Sequence, residues 1–278
     1  MKYIVKNESI EVYGREDFNP KHILECGQIF RFYINNDGNY VVLSSTHKAV
    51  IESSEFGYII KTKTPHYFVD FFNLNLDYSV IKRELSKDSF LAKVIKSGEG
   101  IRILKNDIFE TICCFIISAN NNIKRIKLIL NRLTSAVGEK LDGVDYAFPS
   151  VDKFKALDEK FFLSIGAGYR ARYLSELAEN YEKFIRSYTT DLSTEELRKE
   201  LLKIKGVGPK VADCIMLFAF NKYDVFPVDV WMERVYLEHL NGCKMDRKKI
   251  ARELVLRYGD LSGFAQQYLY YYKAIEKF

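Results

Sequence analysis

The sequence is poor in the residues that build covalent staples and metal cages. Its 278 residues include five cysteines, Cys26, Cys113, Cys114, Cys214 and Cys243. An odd count with no C-x-x-C spacing argues against a disulfide framework, a zinc site or a four-cysteine iron–sulfur cluster. The four histidines, His22, His47, His66 and His239, form no pair three or four residues apart, which excludes a helical metal-ligand pair. No uncharged apolar run reaches the roughly 18 residues of a membrane span. The opening segment MKYIVKNESIEVYG lacks the apolar core of about 7–15 residues that a signal peptide requires. No membrane association is expected. The expected setting is a reducing compartment: the cytoplasm or nucleoid of a prokaryote, or the nucleus of a eukaryote. Low-complexity segments and long repeats are also missing.

What is present is the material of a real core, with 47% hydrophobic and 28% charged residues. The net charge of +5 and pI near 8.7 fit a polyanionic partner without requiring one. The first 70 residues read as short strands over 3–5, 10–13, 28–33, 40–44, 49–52 and 58–61. These runs are rich in Val, Ile, Tyr and Phe, are separated by turn clusters such as Asn35-Asn-Asp-Gly38, and are spaced for an antiparallel sheet. After Pro65 the periodicity turns helical, with segments over 77–96, 107–137, 150–156, 158–165, 171–187, 193–203, 210–220, 230–240 and 248–258. The expected fold class is α+β: an N-terminal antiparallel-sheet domain over 1–104, then a mostly α-helical domain over 105–278.

The most informative stretch runs from Leu201 to Cys214, LLKIKGVGPKVADC. One helix ends near Lys203, a Gly-x-Gly turn follows, and Pro209 stands where a second helix begins, giving a helix–hairpin–helix. Gly206 and Gly208 let backbone N–H groups approach a phosphate, with Val207 between them, and the second helix points its positive end at the same anion. Such contacts grip a backbone but read no base. An ordinary tight helical turn would explain the glycines equally well.

Lys210 lies in the first turn of the second helix, with Cys214 one turn further on the same face. Asp229 follows nineteen positions after Lys210, where it caps the next helix. A lysine attacks carbon as the neutral amine, and both desolvation and the positive helix end are expected to lower its pKa. A nearby carboxylate works against that shift but stabilises the cationic sugar formed as a base departs. Taken singly, Lys210 also fits solvated surface and Asp229 a plain N-cap.

The segment resembles the helix–hairpin–helix, Gly/Pro and aspartate motif of the DNA glycosylase superfamily. More closely, the chain resembles the 8-oxoguanine DNA glycosylase family of bifunctional glycosylase/lyases. The likeness extends from Cys26-Gly-Gln-Ile-Phe-Arg-Phe32 through Ser118-Ala-Asn-Asn-Asn-Ile-Lys-Arg125 and Gly166-Ala-Gly-Tyr-Arg-Ala-Arg172 to Gly263-Phe-Ala-Gln266, roughly residues 20 to 272. The resemblance implies an N-terminal sheet domain, a helix–hairpin–helix glycosylase domain, and excision of 8-oxoguanine from double-stranded DNA by a monomer. Lys210 would be the nucleophile that forms a Schiff base, and Asp229 its acidic partner. Gly27 would offer its carbonyl to the N7–H that distinguishes 8-oxoguanine from guanine. Gln266 would read the Watson–Crick edge, with Tyr270 and Cys214 on the two faces of the flipped base. Asn120 would fill the vacated place, Arg125 and Arg170 would bind the orphaned cytosine, and Tyr169 would act as a wedge. Gly206, Val207, Gly208 and Trp231 would lie along the DNA backbone.

The resemblance calls for no cofactor and no catalytic metal, although a structural cation at the hairpin carbonyls between Leu202 and Val207 is allowed. Two departures stand out. Trp231 replaces a histidine that helps grip DNA in the animal enzymes, and Tyr270 replaces a phenylalanine. No C-terminal extension is expected. One alternative is a glycosylase for another base. Against it, the cluster-bearing branches need cysteines after Cys243, and the alkylated-base branch usually lacks the lysine. The other alternative is a non-catalytic helix–hairpin–helix DNA-binding module, which would need neither Lys210 nor Asp229.

Overall fold

The computed structural model describes residues 1–240 and 242–275. Strands β1 (Lys2–Lys6), β2 (Ser9–Tyr13), β3 (Phe32–Ile34), β4 (Tyr40–Ser44), β5 (His47–Ser54) and β6 (Gly57–Lys61) form a six-stranded sheet ordered β1-β2-β6-β5-β4-β3. Every neighbouring pair is antiparallel. Period-two alternation puts Ile10, Val12, Val42, Ala49, Ile51 and Ile60 on one face, and the register seats Ile10 and Ile51 on either side of Ile60. The helix Pro65–Phe71 covers this face with Phe68 and Phe71, and Phe18 and Phe72 complete the layer.

The second core lies among the helices. The segment Ile108–Ser118 (IFETICCFIIS) is apolar around its whole circumference and buried from Phe109 to Ile117, as a central helix must be. It packs against Pro209–Ala219, itself buried from Val211 onward, with Phe115 stacked on Phe218 at 5.7 Å between ring centroids.

Three differences from the sequence reading have clear causes. The strand expected over 28–33 forms only from Phe32, because Gly27 adopts φ +79° and Gln28 and Arg31 turn their side chains into buried polar networks. The expected helix over 107–137 is two helices, Ile108–Ser118 and Ile123–Val137. Asn120, at φ +50°, ends the first, and the Asn122 side chain caps the second by accepting from Arg125 N. Likewise Asp88 caps a new helix, Ser89–Ser97, inside the segment expected over 77–96. Besides these, Pro20–Leu24, Pro65–Phe71 and Ser262–Ile275 are helical where no helix was assigned.

A buried ion pair joins the loop that leads into β3 to the central helix. Arg31 Nη1 lies 3.2 Å from Glu110 Oε1, and both side chains are almost fully enclosed. Arg31 also donates to the carbonyl of Tyr146, while Glu110 Oε2 accepts from the amide of Ser45 at 2.6 Å. Burial raises the Glu110 pKa and Arg31 opposes that shift. Removing one partner of such a pair leaves an uncompensated charge, so Arg31→Met is expected to cost about 3–5 kcal/mol in urea unfolding. Arg31→Met/Glu110→Met should recover part of that loss, and a single-variant cost below about 1 kcal/mol would remove the pair from this role.

Candidate active site and nucleic-acid interface

The hairpin is built as a capped helix, a glycine turn and a second helix whose N-terminus carries no side-chain cap. Ser193 and Glu196 form a reciprocal capping box at the start of Thr194–Leu201. Arg198 on that helix donates to Asp213 Oδ1 at 3.0 Å on the following helix and so ties the two together. The turn closes through Ile204 N to Leu201 O at 3.1 Å and Val207 N to Ile204 O at 3.0 Å. Gly206 sits at φ +89° with Tyr173 packed against its Cα, where a Cβ would meet the ring at 3.0 Å. Gly208 is different: its backbone is ordinary and the space where a Cβ would stand is open.

The structure therefore divides the three turn residues assigned to the DNA backbone. Gly208 and the first turn of Pro209–Ala219 present the open helix end that suits an anion. Val207 does not fit the expected contact, because its amide is spent inside the turn and its side chain is buried in the core.

One face of the same helix lines a cavity of ≈ 40 Å³. Around it are Gly27, Lys210, Cys214, Asp229, Gln266 and Tyr270, together with Cys26, Phe115, Phe218, Pro227 and Gln267. The six side chains and backbone groups singled out from sequence thus converge from four separate stretches of chain. Asp229 caps Val230–His239, and its Oδ1 accepts from Trp231 N and Met232 N, both at 2.9 Å. Both bonds fall on one oxygen, so the other is not committed to the cap.

Lys210 is half-buried, and its amine lies 5.5 Å from the centre of the Phe115 ring. Its pKa lies above the ordinary lysine value, opposite to the sequence expectation. Burial acts to drive the proton off, but the electrostatic influence of Cys214 and then of Asp229 outweighs it. Burial also pushes the Cys214 thiol up, against the pull of Lys210, and raises the Tyr270 hydroxyl to about 12.

Gln266 is buried and its Oε1 has no hydrogen-bond partner. A buried acceptor left open in this way calls for a donor from elsewhere. Tyr270, one turn along the same helix, lies against Gly27, where a Cβ would be 3.2 Å from its ring.

The remaining candidates gather on the surface around the break between the two central helices. Asn120 and Arg125 are exposed, and Tyr169 is 58% exposed. The Tyr169 hydroxyl donates to Ala119 O at 3.0 Å, and Arg125 Nη2 donates to Gly166 O at 3.1 Å. Arg170 departs from the expected role as a free base-reading group. It is buried and commits its guanidinium to the carbonyls of Ala119, Asn120 and Ala167 while stacking on Tyr169. In this state it holds the Asn120 turn in place. The exposed Arg234 guanidinium lies 4.9 Å from the centre of the Trp231 ring, so this surface keeps a cation where the sequence reading missed one.

Phe115, Phe218 and Pro227 were not legible as site residues, because an apolar residue facing a cavity has the same pattern as one facing the core. Gln267 did carry a signal, a second glutamine in an otherwise apolar and aromatic run. Among the described residues no group of three or more His, Cys, Asp or Glu side chains could hold a metal ion. No described helix is long and apolar enough to cross a membrane.

Comparison with known proteins agrees with this fold. The model of the 8-oxoguanine DNA glycosylase N-terminal domain matches residues 12–112, and that of the HhH-GPD superfamily of base excision DNA repair proteins matches residues 113–258. The chain belongs to the 8-oxoguanine DNA glycosylase family of that superfamily. It superposes with a TM-score of 0.92 and 37% identity on an 8-oxoguanine glycosylase/lyase of Clostridium acetobutylicum, covering 100% of this chain and 99% of the other. That structure was solved in complex with double-stranded DNA containing cytosine opposite 8-oxoguanine. An N-glycosylase/DNA lyase of Saccharomyces cerevisiae is 34% identical over 67% of this chain, and one of Arabidopsis thaliana is 31% identical over 73%. The chain spans 60% of the length of each of these two curated relatives.

Two stability predictions follow from the hairpin. Gly206→Ala should cost about 1–2 kcal/mol through the left-handed backbone alone, whereas Gly208→Ala should leave the denaturant midpoint unchanged; equal effects would refute the distinction. The second concerns Asp213, whose carboxyl burial raises to about 6 against the opposing charge of Arg198, from an ordinary 3.8. Between those values the native state binds the proton more strongly than the unfolded chain, so this group's contribution to stability is lost as pH rises from about 4 through 6. Asp213→Asn should flatten the slope of unfolding free energy over that window, and an unchanged slope would show that another group causes it.

Proposed function

We propose that the chain is a bifunctional DNA glycosylase/AP lyase that excises 8-oxoguanine from duplex DNA in base excision repair. The observation that carries this reading is the single cavity in which the Lys210 amine, the Asp229 carboxylate, the unpaired Gln266 Oε1 and the Gly27 backbone meet. Its position beside the open N-terminus of the hairpin helix supports a duplex held by its phosphates while one nucleotide turns inward.

The enzyme extrudes the damaged nucleotide at a cost of a few kcal/mol. At ≈ 40 Å³ the cavity has room for little more than a water molecule, so entry of a purine requires Tyr270 to move off Gly27. Inside, the N7–H of 8-oxoguanine donates to Gly27 O. Guanine would instead present an acceptor to that acceptor and leave both unpaired, which is the strong form of discrimination by a buried polar group. Gln266 Oε1 accepts from the Watson–Crick edge, while Cys214 and Tyr270 flank the ring.

Lys210 must release its proton before it attacks C1′. The C1′–N9 bond then breaks, and the base leaves with the electron pair and takes up a proton. Asp229 stabilises the cationic sugar. The lysine nitrogen then loses a proton as the C1′–O4′ bond opens and O4′ is protonated, giving a Schiff base that acidifies C2′; loss of the C2′ proton expels the 3′ phosphate by β-elimination, and water then hydrolyses the imine. The lysine supplies the nucleophile, so the scheme needs no cofactor. On the surface, Asn120 and Tyr169 replace the extruded nucleotide, and Arg125 reads the opposite cytosine, joined by Arg170 if the bound state releases it from the Asn120 turn. Arg234, held on Trp231, adds charge for the backbone.

The test uses the purified chain on duplexes carrying 8-oxoguanine, uracil, an alkylated purine or thymine glycol, with and without borohydride. Release and covalent trapping are expected on 8-oxoguanine. Lys210→Gln should lose both, by more than a thousandfold, and keep its affinity for damaged DNA. Base release by that variant at the parent rate would refute the nucleophile. DNA binding without release or trapping on any of the four would favour a non-catalytic module.

A further inference from the structure

We propose that Gln267 is a positioning residue for lesion recognition: it occupies the carbonyl of Cys26 so that Gly27 presents the single unpaired backbone acceptor to the base. The inference rests on the reading of Gly27 O as the acceptor for N7–H and goes beyond it in naming what fixes that acceptor.

The problem to be solved is one of freedom. Gly27, at φ +79°, belongs to the residue type with the widest choice of backbone conformation, and it lies on a loop rather than in the sheet. A carbonyl on such a loop discriminates only if its direction is fixed and its neighbours cannot take its place. Two buried glutamines meet this need from opposite sides. On the C-terminal side, the Gln28 side chain donates to Ile23 O and Arg102 O, both at 2.8 Å, and accepts from Leu104 N at 2.8 Å. Arg102 is itself fully buried and donates to the carbonyls of Asp17, Phe72 and Leu76, so this anchor is rigid. On the N-terminal side, Gln267 Nε2 donates to Cys26 O at 2.9 Å, and Gln267 is only 1% exposed.

Cys26 and Gly27 both line the cavity, so on this loop two consecutive carbonyls compete to meet a base there. With Cys26 O paired, one remains. Without Gln267, Cys26 O becomes a second buried, unsatisfied acceptor next to the pocket. The Cys26–Gly27 peptide is then free to turn toward whatever donor enters. One helix, Ser262–Ile275, therefore acts on the recognition loop through three side chains: Gln266 facing the base, Gln267 pairing Cys26, and Tyr270 against Gly27.

The test measures equilibrium binding in the Lys210→Gln background, where no base is released. That protein should bind an 8-oxoguanine:cytosine duplex in preference to a guanine:cytosine duplex. Adding Gln267→Met, which keeps the length and loses the donor, should reduce the preference about tenfold through lesser affinity for the lesion, the scale of one buried unsatisfied acceptor. Borohydride trapping on a preformed abasic site, where no base is read, should remain within about twofold in Gln267→Met alone.

Gln267→Glu provides a second arm, because it is nearly isosteric and can donate to Cys26 O only when protonated. Its preference for the lesion should be low at pH 8 and recover as pH falls toward 5, while the Gln267 parent shows no such trend. A preference unchanged in both variants overturns the proposal. A parallel fall in lesion preference and abasic-site trapping also overturns it, by reducing Gln267 to a folding role. If the Lys210→Gln protein itself shows no preference for 8-oxoguanine, the reading of Gly27 as the selective acceptor fails, and this proposal fails with it.

Discussion

An amine enclosed by protein must be either neutral or accompanied, and the surroundings of Lys210 follow from that constraint. The first turn of a helix is a poor place for a cation, since the backbone dipole is positive there. The ammonium persists because Cys214 lies one turn away on the same face and Asp229 arrives from the next helix. Asp229 can do this because the N-cap fixes it with two backbone donors on a single oxygen. The same arrangement opposes reaction in the resting state: the partners that make burial of Lys210 tolerable hold its proton more firmly than in a free lysine. On the proposed mechanism, a base entering between Cys214 and Tyr270 breaks up this arrangement. The proton is then lost when a substrate is present rather than by default.

The second constraint concerns the joint between sheet and helices. The loop from Cys26 to Arg31 could have extended β3 toward its N-terminus, and its composition favours a strand. Instead, Gln28 bonds to the backbone around Arg102 and Leu104, and Arg31 pairs with Glu110 on the central helix. These buried polar groups are satisfied only when the loop crosses from one core to the other. The sheet thus acts as the abutment for one glycine carbonyl. Burial of an arginine–glutamate pair adds little net stability, so its value lies in fixing where the loop must run.

Much of the architecture could be read from sequence because it depends on local signals. Alternation gave the strands of the sheet, the capping box at Ser193 and the cap at Asp229 gave helix starts, and Pro209 marked the hairpin. Residues with distinctive chemistry, Lys210, Asp229, Gln266 and Tyr270, were equally visible. What escaped depended on long-range satisfaction of polar groups. Nothing near Gln28 in sequence reveals that its amide meets residues 102 and 104, and nothing near Arg170 reveals that it will be used to hold the Asn120 turn. The two merged helices failed for a different reason: hydrophobic periodicity runs on through Asn120 and Asp88, and only the positive φ or the cap breaks the chain direction. The lysine pKa was misjudged because burial and the helix end were weighed more heavily than the partners that the fold brings together.

The small size of the cavity gives the separate parts a common logic. With Tyr270 against Gly27 the cavity is too small for a nucleobase, so on the proposed function its opening would be driven by interactions made elsewhere on the duplex. On that proposed function, the sources would be phosphate contacts at Gly208 and the first turn of its helix, and the insertion of Asn120 and Tyr169 where the nucleotide was. Those contacts are the same for every sequence. They can raise any nucleotide toward the pocket, but they cannot hold it there. On the proposed function, retention falls to the groups inside, the Gly27 carbonyl and the Gln266 amide oxygen that lacks a partner, each of which the oxidised purine would satisfy. Non-specific grip therefore supplies the work of extrusion and a few buried acceptors supply the choice. A strong hold on DNA need not weaken discrimination in such a design, because the two are set by different surfaces of the molecule.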